Sequence, residues 1–125
     1  MISKELLSEV LGRDVDKVKG IEANTLIYGC AHSDGWYDEI NIYELAYKCK
    51  EWAFKKRYYV QSDFLEVNIY PIEYDGFKMK LVQCQNIVPI DCDSYTEEEI
   101  DSFPHNETEA IFKACEWILK ESNDI

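Results

Sequence analysis

The chain has 125 residues, 46% of them hydrophobic and 14% aromatic, which is enough for one core and too few for two ordinary domains. A single domain over residues 1–125 is therefore expected. A formal charge of −12 argues against direct nucleic acid binding and favours basic protein partners, while also serving solubility.

In chain order, Ser3 can cap a short helix to residue 11, with Leu6, Leu7, Val10 and Leu11 on one side and Gly12 as a left-handed stop. Residues 15–30 hold β-branched side chains and two glycines around Glu22-Ala23-Asn24, and read as a hairpin with imperfect alternation. Residues 31–39 contain Asp34-Gly35 and read as an exposed turn before a brief strand.

Residues 41–56, NIYELAYKCKEWAFKK, are matched 65 positions later by residues 106–121, NETEAIFKACEWILKE. The pairs are Asn41/Asn106, Glu44/Glu109, Lys48/Lys113, Glu51/Glu116, Trp52/Trp117 and Lys55/Lys120. An Asn followed three residues on by Glu has the logic of a capping box, so both stretches are expected to be helices. The first places Ile42, Leu45, Ala46, Cys49, Trp52 and Ala53 on one buried stripe, and the second Ala110, Ile111, Ala114, Cys115 and Ile118, with Trp117 at the margin. Lys55, Lys56 and Arg57 suit the negative end of the first helix.

Between the helices, residues 58–61 read as a strand, and Asp75-Gly76 signals a tight hairpin that pairs Tyr74 with Phe77 and Ile72 with Met79. Tyr70, Ile72, Tyr74, Phe77, Met79 and Leu81 then share a face. Leu65, Val67 and Ile69 have the opposite parity, so a bulge or break is expected at Pro71. The regular pattern lapses at residues 86–105, an acidic insertion. Residues 91–109 hold eight acids and no lysine or arginine; within them Thr96 and Glu99 have the spacing to start one helical turn. The whole is expected to be α+β: a mostly antiparallel sheet with a central hairpin, packed against two similar helices.

The ending ETEAIFKACEWILK, together with INIYELAYKCKEWA, resembles small uncharacterised phage and prophage proteins of Gram-negative bacteria. More loosely, the chain is similar to the phage α-β-α sandwich proteins. The resemblance covers about residues 41–121 and rests on helix faces and caps. It implies a phage or mobile-element origin and α/β/α layering, and carries over no active-site residue. The acidic insertion departs from that compact pattern.

Five cysteines without a CxxC pair suit free thiols in a reducing cytosol. The first residues carry acids and lack a signal-peptide core, and no stretch approaches the roughly 18 apolar residues of a membrane span. A cytoplasmic protein is expected, with no membrane contact. Cys30, His32 and Asp34 are the closest grouping of metal-ligand types and read as turn residues. Asp91-Cys92-Asp93 opens like a calcium loop, but the loop's glycine is missing and Ser102 stands where its bidentate acid belongs. No nucleotide, hydrolase or zincin motif occurs, so no metal, cofactor or catalytic residue is expected.

The expected function is binding a host or defence protein through an acidic surface that imitates the spacing of phosphates. Asp91, Asp93, Glu97, Glu98, Glu99 and Asp101 would form that surface, and Trp36 is a further contact residue, since an aromatic among loop polar groups resembles an interface hot spot. The alternative is a small enzyme or ligand-binding protein with its pocket at His32, Asp34 and Trp36. Nine tyrosines exceed what one small core needs, which places some at contacts; a homo-oligomer is compatible with this.

Overall fold

Asn41 ends a strand and begins a helix, and its side chain accepts from the amides of Tyr43 and Glu44 at 2.8 and 3.3 Å. Asn106 does the same at the matched position, accepting from the Glu109 amide at 2.8 Å and the Thr108 hydroxyl at 2.7 Å. The reciprocal bond of the second cap runs from the His105 amide to Glu109 Oε2, one residue earlier than a capping box places it. These caps fix the starts of the two main helices in the computed structural model, which describes residues 2–31, 35–73, 80–87 and 96–123, without the side chains at 100–102 and 123.

The described elements are α1 (Lys4–Leu11), β1 (Val15–Glu22), β2 (Thr25–Cys30), β3 (Tyr37–Asn41), α2 (Ile42–Lys55), β4 (Tyr58–Ser62), β5 (Glu66–Pro71), β6 (Gln83–Asn86), α3 (Glu97–Ser102) and α4 (Glu107–Asn123). They make a single α+β domain in which the antiparallel strands divide into two sheets, β1-β2-β3 and β4-β5-β6. The repeat seen in the helices extends to the topology, because each half is a three-stranded meander followed by its helix; the second adds α3.

Leu6 and Leu7 of α1 are fully buried, and the helix starts at Ser3, whose hydroxyl accepts from the Leu6 amide, and stops at Gly12 with φ 65°. The expected first hairpin is β1-β2, turned by Ala23 and Asn24 at φ 53° and 62°. Its imperfect alternation has a cause: register shifts between Val15 and Lys17 and between Val18 and Gly20 return the inward face to step after each.

All six residues of the expected α2 stripe are buried. In α4 the expected residues are buried too, together with Phe112 and Leu119, because α4 is covered on two sides, by α2 and by β4, β5 and β6. Trp52 is 7% exposed, whereas Trp117 is half-buried and meets Tyr58 edge-to-face at 5.9 Å.

The hairpin turn at residues 74–79 lies outside the described residues, but its two strands differ in register from the expectation. A two-residue turn at Asp75-Gly76 sets Ile69 opposite Val82, while the structure sets it opposite Gln83. Between the two competing faces, Val67 and Ile69 enter the core, Leu65 and Leu81 are exposed, and Tyr70 and Ile72 are half-buried. Pro71 ends β5.

Candidate functional site

The acidic segment is not uniform. Asp91 and Asp93 lie outside the described residues, as does the side chain of Asp101. Glu97, Glu98 and Glu99 are all exposed on α3, which Thr96 caps by accepting from the Glu99 amide at 3.2 Å. Successive helical positions turn by about 100°, so the three carboxylates spread around α3 and do not line one face. The two acids at the end of the segment have structural work: Glu107 Oε1 accepts from the Ser62 hydroxyl at 2.6 Å, and Glu109 accepts from His105.

Trp36 is 78% exposed just before β3. His32 and Asp34, its expected companions, lie outside the described residues. Beside it, the Tyr37 ring has Lys17 Nζ at 4.8 Å and Lys19 Nζ at 4.9 Å from its centre, an arrangement attractive to a cation. Hydrogen bonding to Lys17, and then its charge, hold the Tyr37 phenol below the usual tyrosine range. Arg13, in the link between α1 and β1, pairs with Asp38 of β3 at 2.9 Å.

A concave site lies elsewhere, between the first turns of α2 and α4. Its volume is about 380 Å³, within the range of roughly 300–1,000 Å³ typical of ligand pockets. Ile42, Ala46 and Ile111 supply apolar lining, Tyr43 and Tyr47 aromatic lining, and Glu107 a carboxylate. Further along, the Cys115 thiol donates to the Cys49 carbonyl at 3.5 Å. Since the helix starts share a cleft and residues seven and eight positions on are in contact, α2 and α4 run in the same direction.

Tyr43 and Tyr47 are 60% and 66% exposed, and Phe54 of the same helix is 60% exposed. The tyrosines are among those expected at contacts; Phe54 was not foreseen. The signal was present, because residues 43, 47, 50 and 54 recur at spacings of four, three and four, which puts them on one helical stripe. A smaller cleft between α1 and α2 is lined by Glu9, Val10, Lys48, Glu51, Trp52 and Lys55. Trp52 Nε1 is buried and has no hydrogen-bond partner among the described residues.

Among the described residues no group of three or more His, Cys, Asp or Glu could hold a metal ion, and no described helix is long and apolar enough to cross a membrane. Cys30, Cys49, Cys84 and Cys115 are not in disulfides; Cys92 lies outside the described residues. Compared with protein-family models, curated proteins and solved structures, the chain matches none of them. The described residues thus form a single α+β domain with an aromatic-walled cleft between α2 and α4 and separate exposed acidic and aromatic features.

Proposed function

We propose that this chain works by binding another protein and not by catalysis, as a phage or prophage accessory factor that docks a host or defence protein with a basic surface. The observation that carries the reading is the run Glu97, Glu98 and Glu99, all three exposed, in a chain of net charge −12. Adjacent carboxylates repel one another and add little to folding, whereas a basic partner that neutralises them is steered and oriented by them. Their spread around α3 asks for a partner surface that encloses the helix. In the mimicry version, that surface is one shaped for nucleic acid phosphates. Trp36, with Tyr37 beside it, supplies an aromatic anchor of the kind that dominates interface energetics.

The test is capture of the partner from infected or lysogenic cells with wild-type chain and with two variants. One replaces Glu97, Glu98 and Glu99 by Gln and Asp101 by Asn; the other is Trp36→Ala. The expected result is that the fourfold variant binds the identified partner more weakly and with a flatter salt dependence, and that Trp36→Ala speeds dissociation. A partner held equally by both variants would overturn this assignment of the surface.

A further inference from the structure

We propose that the cleft between the first turns of α2 and α4 binds a small zwitterion, a free α-amino acid with an apolar side chain. The cleft carries one charge of each sign, Lys50 and Glu107, and no ion pair joins them among the described residues. The fold holds the carboxylate back: Glu107 Oε1 accepts from the Ser62 hydroxyl at 2.6 Å, which ties it to β4, and its Oε2 has no donor among the described residues. Opposite charges that share a concave site without meeting are complementary to a molecule that carries both.

The separation of the two charges suits a short molecule. Both helices run in the same direction and start at the cleft, so Glu107 stands level with the first turn of α2, and Lys50 lies two turns, or about 12 Å, beyond Ile42. Helical side chains lean toward the N-terminus, which carries the Lys50 stem back along the cleft toward Glu107. A ligand fills the remaining gap with one charged hydrogen bond of about 2.7–2.9 Å at each end. Beneath it the floor is apolar, with Ile42, Ala46 and Ile111 only 8, 4 and 3% exposed. Tyr43 and Tyr47 stand at the wall, where ring faces attract an ammonium group.

Simpler ligands leave part of the cleft unmatched. An anion meets Lys50 but is opposed by Glu107 and by the net charge of −12, and a cation meets Glu107 but leaves the half-buried Lys50 without a counter-charge. A zwitterion satisfies both ends and has no net charge for the field of the chain to repel. A peptide carries its two termini on different residues, whereas a free amino acid carries ammonium and carboxylate on one carbon and leaves its side chain for the apolar floor. The volume of about 380 Å³ lies at the small end of the roughly 300–1,000 Å³ spanned by ligand pockets, in keeping with a ligand of that size.

Isothermal titration of the full chain with L-leucine and L-phenylalanine tests this, each compared with the acid that lacks its amino group and the amine that lacks its carboxylate. The expected result is saturable binding of at least one amino acid, one molecule per chain, with Kd below about 1 mM, and binding of its two single-charge analogues weaker by at least about tenfold. Glu107→Gln keeps an oxygen for Ser62 and Lys50→Met keeps the stem, so circular dichroism stays unchanged in both. Lys50→Met weakens the amino acid by at least about tenfold and leaves the amine as in the wild type, whereas Glu107→Gln weakens the amino acid equally and leaves the acid unchanged. That crossed pattern assigns each end of the ligand to its residue. A Kd above about 1 mM for both amino acids, analogues bound as tightly as the amino acid, or wild-type affinity in either charge variant overturns the proposal.

Discussion

Glu116 Oε1 accepts hydrogen bonds from both the amide and the hydroxyl of Ser3, at 2.9 and 2.7 Å, so one carboxylate of α4 holds the residue that caps α1. Its repeat partner, Glu51, is exposed on α2. The same residue at matched positions thus has a structural role in one half of the chain and a solvated one in the other. Hydrogen bonds to an ionised group contribute about 1.5–3 kcal/mol when protected from water. Glu116 is half-buried, so Glu116→Ala is expected to cost about 1–2 kcal/mol, and Glu51→Ala less than about 0.5 kcal/mol. Urea midpoints of the two variants decide it; equal costs would mean that the Ser3 contact adds nothing.

Cys49 links stability to alkaline pH. Its thiol is fully buried, and hydrogen bonding with Cys115, followed by burial, pushes its pKa far up. In the unfolded chain the thiol ionises near its ordinary value of about 8.5. Above that pH the unfolded state loses a proton that the folded state keeps, so the stability associated with Cys49 is complete below about pH 8.5 and falls by up to about 1.4 kcal/mol per pH unit above it. Cys49→Ala removes this slope. The cost of the substitution, measured by denaturation at pH 7 and again near pH 10, should therefore shrink as pH rises. A cost independent of pH would show that the folded thiol ionises normally.

The helices were legible because periodicity and caps act within one segment: the α2 stripe and both Asn caps could be read before any tertiary contact was known. Sheet details were not. The face containing Val67 and Ile69 prevails because α4 packs over that sheet, a fact absent from the local pattern. Strand β6, Gln83–Asn86, has no apolar alternation to betray it. The cleft was hidden for another reason. Its walls are two helix starts 65 residues apart, and similarity between them says nothing about whether they lie side by side.

Ala23 offers a substitution whose sign reverses the usual rule. Glycine ordinarily destabilises by adding freedom to the unfolded chain, but Ala23 sits at φ 53° in the β1-β2 turn, where a Cβ costs roughly 1–2 kcal/mol. Ala23→Gly should raise stability by about 0.5–1 kcal/mol. A lower thermal midpoint would mean that the turn does not hold this conformation.

Trp52 separates packing from hydrogen bonding. It is 7% exposed in the main core, yet its indole Nε1 has no hydrogen-bond partner among the described residues, so the side chain fills space while burying a donor that none of them satisfies. Trp52→Ala removes the packing and should cost about 3–5 kcal/mol. Trp52→Phe loses only part of the ring system and also removes the buried donor, whose burial costs about 1–3 kcal/mol; the two effects oppose, and the net change should stay within about 1 kcal/mol. Trp117 is the internal comparison, since it is half-buried and packs edge-to-face on Tyr58. Trp117→Ala should cost less than Trp52→Ala, and Trp117→Phe should retain a ring against Tyr58. Denaturant midpoints for the four variants give the ordering, and the fluorescence lost in Trp52→Phe should be the component least accessible to acrylamide. If Trp52→Phe proves as costly as Trp52→Ala, the indole N–H makes a bond that stabilises the core, and water in the cleft between α1 and α2 would be its nearest source.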